Sequence, residues 1–151
     1  MAFTRRFQQL IHVKLPTTLE LSIIIENKLD SLKNVNHNVL TPEIQLLAHT
    51  CTGFSPFDVE RLIQEVVSKK IKQFRLGQHF EKDQRGFWYM IEEKSTTSTS
   101  MTYKEVRKLN FKLPIISRLD LVEARKSIHA TNAENDDEQF KDFCKKSGCC
   151  K

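Results

Sequence analysis

The sequence predicts a mainly α fold: a small helical bundle interrupted by an antiparallel β-hairpin and followed by a C-terminal helix. Three observations predict it. Three capped stretches within residues 17–75 carry apolar residues at helical spacing. Between Gly77 and Gly86 the period changes, and Phe87-Trp-Tyr-Met-Ile-Glu-Glu93 is aromatic and β-branched, as strands are. A further capped helix then opens at Ser117, with Asp120 three residues on.

Length allows one domain with a modest core or two small lobes, since the chain has 151 residues. Hydrophobic residues make up 39% and charged residues 28%, which places the chain with ordinary globular domains. No apolar run reaches the length of a membrane span, and the N-terminus has no apolar signal region; an intracellular protein is expected. Cys51, Cys144, Cys149 and Cys150 are too unevenly spaced for a disulfide framework, and they lack the Cys-x-x-Cys spacing of a metal site. The net charge of +5 favours acidic partners only weakly.

In chain order, residues 1–14 begin with Arg5-Arg6-Phe7 and then alternate, with Ile11, Val13 and Leu15 on one face. That period of two reads as a short strand closed by Pro16. Its unpaired edge should fray or pair with another copy. A first helix over residues 17–33 is capped by Thr17 or Thr18 and buries Leu21, Ile24, Ile25, Leu29 and Leu32. A second starts at Thr41-Pro-Glu43 with a capping hydroxyl, and a third, over residues 55–75, buries Val59, Leu62, Ile63, Val66, Val67 and Phe74. Cations crowd the end of the third helix, where its dipole favours them.

The strand at residues 87–93 and a second at residues 101–106 suggest a hairpin with a long polar loop, Lys94-Ser-Thr-Thr-Ser-Thr-Ser100. Its aromatics, Phe87, Trp88, Tyr89 and Tyr103, are either packing or a docking surface. Residues 107–114 read as an extended basic connection. The helix after Ser117 turns Leu121, Val122, Ala124, Ile128 and the stem of Arg125 inward. A last helix opening at Asp136-Asp137-Glu138 carries Phe140, Phe143 and Cys144 on one side, and is too weak to stand without docking on something.

The tightest local signal is the corner between the second and third helices. Gly53 stops one helix cheaply with a positive φ; Ser55 caps the next, Pro56 occupies its first turn, and Asp58 brings a carboxylate to its positive end. By itself this is a turn between packed helices, or a corner whose free N–H groups face a nucleotide.

Arg5-Arg6-Phe7, the strand ending Leu15-Pro16, the helix after it and Thr50-Cys-Thr-Gly-Phe-Ser-Pro-Phe-Asp58 together resemble the end of an AAA ATPase module. The match runs from the last strand of the large nucleotide-binding domain through the helical small, or lid, domain. Within that superfamily the chain is similar to the meiotic clade, where the corner reads Thr-x-Gly-Tyr/Phe-Ser-x-x-Asp. The inserted hairpin, Leu113-Pro114, the short helix and Phe140-Lys-Asp-Phe143 narrow the resemblance to the family of vacuolar protein sorting-associated protein 4. Pro56 stands where that family usually has Gly, Ala130-Thr-Asn-Ala133 replaces a Thr-Arg-Pro-Thr-like segment, and the Thr/Ser run replaces a Pro-Cys-Ser-Pro loop.

The resemblance implies a domain plan: residues 1–16 as the last strand of a large AAA domain, 17–77 and 115–133 as the helical lid, 78–114 as an inserted β domain, and 134–151 as a C-terminal helix packing back on the large domain. It implies a C-terminal fragment of a hexameric ATPase that uses ATP with Mg and disassembles ESCRT-III in endosomal and vacuolar sorting. Arg5 and Arg6 match the arginines sent to a neighbour's γ-phosphate, where a guanidinium neutralises charge. Gly53, Phe54 and Ser55 match the nucleotide-facing corner, and Trp88 and Tyr103 lie where an activating cofactor protein docks. The implied location is cytoplasmic with recruitment to endosomal membranes, through peripheral association only. No G-x-x-x-x-G-K-[ST] motif occurs and no acidic Walker B strand precedes Arg5, so these residues alone should neither hold ATP tightly nor hydrolyse it. The alternatives are a stand-alone protein-interaction module without nucleotide and, more weakly, a basic nucleic-acid binder.

Overall fold

The computed structural model describes residues 13–32 and 35–131. Most of the N-terminal strand with Arg5 and Arg6, the C-terminal helix, and Cys144, Cys149 and Cys150 lie outside the described residues.

Four helices make the bundle: α1 (Thr18–Asp30), α2 (Thr41–Thr50), α3 (Pro56–Leu76) and, near the end, a helix over Arg118–Ser127. Reciprocal caps start three of them. Thr17 and Glu20 exchange bonds at α1, with the Thr17 N–H donating to the Glu20 carboxylate at 2.8 Å. Ser55 does the same with Asp58 at α3, and Ser117 donates twice to Asp120 at 2.7 Å before Arg118. The second helix departs from expectation. Its cap is Leu40, whose N–H donates to Glu43 at 3.0 Å, while the Thr41 hydroxyl is drawn off to Glu26 at 3.0 Å. A nearby carboxylate outside the helix competed for that hydroxyl.

The bundle core joins Leu21, Ile25 and Leu29 of α1, Ile44 and Leu47 of α2, Leu62 and Val66 of α3, and Leu121 and Ala124. Ile24, Leu32 and Val67 pack on it partly buried. Val122, expected inside, is exposed. A parallel bridge between His37 and Ile116 laces the linker after α1 to the segment before the last helix.

The β part differs most from the expectation. Strands β1 (His79–Lys82), β2 (Trp88–Ile91) and β3 (Thr99–Ser100) form an antiparallel sheet in the order β2-β1-β3. Thus β2 pairs with β1, which the sequence reading missed, across a tight turn. There Asp83 accepts the N–H groups of Arg85 and Phe87 at 2.9 Å each, and Gly86 takes φ +87°. Residues 101–106 are not a strand. After β3 the chain forms a short helix, α4 (Tyr103–Val106), because Thr102 and Glu105 form another reciprocal cap; the Thr102 N–H donates to Glu105 at 2.7 Å. The last helix, Arg118–Ser127, is therefore α5.

A second, smaller core sits here. Phe74 from α3 is its centre, packed edge-on to Phe80 at 5.5 Å, stacked on Phe111 at 5.1 Å and edge-on to Tyr103 at 6.2 Å. Trp88, Met90 and Met101 close it. Helix α3 therefore serves both cores, with Leu62 in one and Phe74 in the other.

Candidate functional site: the glycine corner and its strap

The corner is built as its residue types require. Cys51 ends α2 with its N–H on the carbonyls of Leu47 and Ala48. Gly53 takes φ +86°, a conformation that costs a residue with a Cβ 1–2 kcal/mol in order of magnitude. The Phe54 N–H then returns to the Cys51 carbonyl at 2.9 Å, and Ser55 starts α3. Among the described residues nothing lies within 4 Å of where a Cβ on Gly53 would be, so none of them covers the front of the corner.

Phe54 is completely buried. The Arg125 guanidinium lies over its ring at 4.5 Å, donates from Nε to the Thr50 carbonyl at 2.8 Å and from Nη1 to the Ile128 carbonyl at 2.8 Å. One cation thus ties both helix ends and the corner together. The Cys51 thiol beside it is buried; burial pushes its pKa up, against smaller pulls from Thr50 and Arg125.

Asp58 is the only fully buried charged side chain among the described residues. Its Oδ2 accepts the Ser55 N–H at 2.9 Å and the Ser55 hydroxyl at 2.8 Å. Its Oδ1 accepts the Thr131 N–H at 3.2 Å and the Thr131 hydroxyl, with Arg61 at 3.8 Å. Burial alone would raise the carboxyl's pKa, but these donors outweigh it and hold it below the ordinary value. The segment after α5 is thereby strapped to the start of α3.

These positions bear on the expected site residues. Gly53 faces open space among the described residues, Ser55 has its hydroxyl committed to Asp58, and Phe54 is buried whole, its N–H taken by Cys51. The exposed aromatic of the corner is Phe57, which the sequence reading did not single out. Trp88 and Tyr103 sit on the second core, half-buried, with Arg75 over the Tyr103 ring at 5.7 Å. The structure does not bring Trp88 and Tyr103 to the corner; they belong to a different core. Sequence reasoning also missed the partnership of Thr131 with Asp58. A cation at an inward helix position, Arg125, was the one available sign that something outside the helix needed it.

Among the described residues the corner's carboxylate, Asp58, is saturated with donors, and its thiol, Cys51, is buried. What it can do is position an open backbone wall. No group of three or more metal-ligating side chains occurs among the described residues, and none of their helices is long and apolar enough to cross a membrane.

No protein-family model matches the sequence, and no curated protein matches it. Solved structures do. A crystal structure of the FIGL-1 AAA domain in complex with ADP matches 99% of this chain with a TM-score of 0.65 at 17% identity. A second FIGL-1 AAA domain structure matches 96% with a TM-score of 0.60 at 17% identity. A chain in a crystal structure of Vps4 and Vta1 matches 76% with a TM-score of 0.55 at 13% identity, over 99% of its own length. The chain spans 41% and 39% of the two FIGL-1 chains. At these identities the likeness is one of fold, and the fold is that of an AAA-type helical lid carrying a small antiparallel sheet.

Proposed function

We propose that this chain is the C-terminal lid part of an ATP-driven AAA ATPase of the meiotic clade, resembling vacuolar protein sorting-associated protein 4, whose lid couples nucleotide state to ring assembly. The observation that carries the proposal is the glycine corner: open in front of Gly53, and locked behind by Asp58, Arg125 and Thr131. A rigid corner with an open face suits a wall that closes over a ligand held mainly by another lobe.

The residues present fit ATP in that limited sense. The backbone around Gly53 and the side of Ser55 would lie against it, with Phe54 buried behind them as the corner's support. ATP with Mg supplies the phosphoryl group to be transferred; this chain's part is to touch it from one side and to rotate with it. In this reading Arg5 and Arg6 reach a neighbouring subunit's γ-phosphate in a hexamer. ESCRT-III subunits are the substrate in endosomal and vacuolar sorting, and the protein is cytoplasmic and recruited to endosomal membranes. The domain plan is the one set out from the resemblance. Trp88 and Tyr103 would receive an activating cofactor protein; a solved structure named for Vps4 and Vta1 is among those similar in fold and supports this kind of partner.

The test joins this chain to a P-loop domain placed upstream and measures ATP hydrolysis by the oligomer. The joined protein should hydrolyse ATP, and R5A/R6A should lower kcat on the order of 10³-fold, as removal of a trans arginine does. Normal turnover by R5A/R6A would overturn the arginine assignment. A joined protein that assembles and binds ATP without hydrolysing it favours the alternative, a protein-interaction module without nucleotide chemistry.

A further inference from the structure

Strand β2 lies at one edge of the sheet, and its outer side is only partly paired. Successive residues of an antiparallel strand turn their backbone groups to opposite sides. The Phe87 carbonyl accepts the Asp83 N–H at 2.8 Å, so Phe87 turns toward the β1 side. Trp88 turns away. Its N–H donates to the Asn110 carbonyl at 2.8 Å, and its carbonyl accepts the Lys112 N–H at 2.8 Å, a parallel bridge to Phe111. Tyr89 turns back to β1, and Met90 turns outward again. Yet among the described residues no backbone bond reaches Met90 from that side.

The sequence explains why the ladder stops. Its next rung needs an N–H from residue 114 on the Met90 carbonyl, and residue 114 is a proline. After Lys112 the chain leaves β2 for the bundle, and Leu113 packs on both cores. Beside Met90 it leaves a cleft of about 460 Å³, walled by Tyr89, Met90 and Glu92 on the sheet and by Leu113, Pro114 and Ile115 opposite. Ile115 is 54% exposed and belongs to neither core. The charge here has a sign. The two lysines of the cleft are already paired, Lys70 with Asp120 and Lys112 with Asp83. Glu92 and its neighbour Glu93 are exposed and make no ion pair among the described residues.

We propose that this cleft takes an extended, basic peptide segment of another protein, which adds a short strand to the free edge of β2. Its backbone gives Met90 the partners that the chain's own ladder withholds. Its apolar side chains lie on Leu113 and Ile115, and its cations face Glu92 and Glu93. Because Trp88 is already paired, the added strand runs only from Met90 onward. Trp88 and Tyr103, assigned above to a cofactor protein, do not line this cleft, so the two readings are independent.

The test uses the full 151-residue chain and a capped Lys-Val-Lys-Val-Lys peptide. The peptide should shift the Met90 amide in NMR spectra and slow its hydrogen exchange about tenfold, while the amides of Tyr89 and Ile91, which face β1, change little. Two further peptides carry N-methyl groups on both valines or on all three lysines. One set removes the donors that face β2 and should abolish binding; the other removes donors that face away and should leave binding intact. Glu92→Lys and Ile115→Lys, both at exposed positions, should each weaken the parent peptide about tenfold and leave the protection of Ile25 in the bundle core unchanged. Failure of the parent peptide to bind, or equal binding of the two methylated peptides, overturns the proposal. So does a Met90 amide already protected in the free chain. Protection lost on dilution would make a second copy the occupant, and protection that persists would make it a segment of the same chain.

Discussion

At the residue scale, Asp58 carries the corner. Asp58→Asn replaces an acceptor of four donated hydrogen bonds with an amide that turns N–H groups toward other donors. It should destabilise the chain by about 2–3 kcal/mol, read by urea denaturation at neutral pH. The pH dependence has a definite sign. The folded carboxyl's pKa lies below its ordinary value, so its stabilising share is fully present above the unfolded pKa of about 3.9. That share is lost as pH falls from there through the folded pKa. The gap between the parent and Asp58→Asn should therefore be constant from neutrality down to about pH 5 and shrink below about pH 4. Arg125 shows the complementary case. A lysine keeps the charge but not the planar fork that donates to Thr50 and Ile128 while lying on Phe54.

At the scale of elements, the two cores separate what was legible in the sequence from what was not. Caps were legible because each pairs a hydroxyl with a carboxylate three residues on; Thr17 with Glu20, Ser55 with Asp58 and Ser117 with Asp120 all behave so. Strand β1 was hidden because Phe80 is its only fully buried residue and three polar residues surround it. Residues 101–106 misled because Met101, Tyr103 and Val106 look strand-like, yet a helical turn puts Tyr103 and Val106 on the same small core. Local capping outweighed β propensity there. The clamp between Thr131 and Asp58 spans 73 positions, and no local pattern carries a contact of that range. The small core makes its own prediction. Phe80→Ala should cost about 3–5 kcal/mol within it. Hydrogen exchange should rise in β1 and β2, while the amides of the bundle core, those of Ile25 and Leu62 among them, keep their protection.

At the scale of the whole molecule, α3 is the connection. Its 21 residues begin at the corner and end under the sheet, so the bundle and the β part share one uninterrupted element. The pairing of Lys70 with Asp120 at 2.9 Å fixes that element to α5 between the two cores. Ser68→Pro, at an exposed position between Val66 and Phe74, should break it at a cost of about 3 kcal/mol. Calorimetry should then show two unfolding transitions in place of one, the β part melting first. A single sharp transition in that variant would mean that the two cores are coupled by some other route.

Helix α3 has one further implication. Twenty-one residues at about 1.5 Å each make a rod of roughly 30 Å, footed in the sheet and headed by Gly53. Val59, Leu62, Ile63 and Val66 hold the upper part of that rod in the bundle core, and Phe74 anchors its foot. The span from the aromatic nest to the glycine is therefore set by one ruler, and lengthening or shortening α3 by a residue would throw both ends out of register.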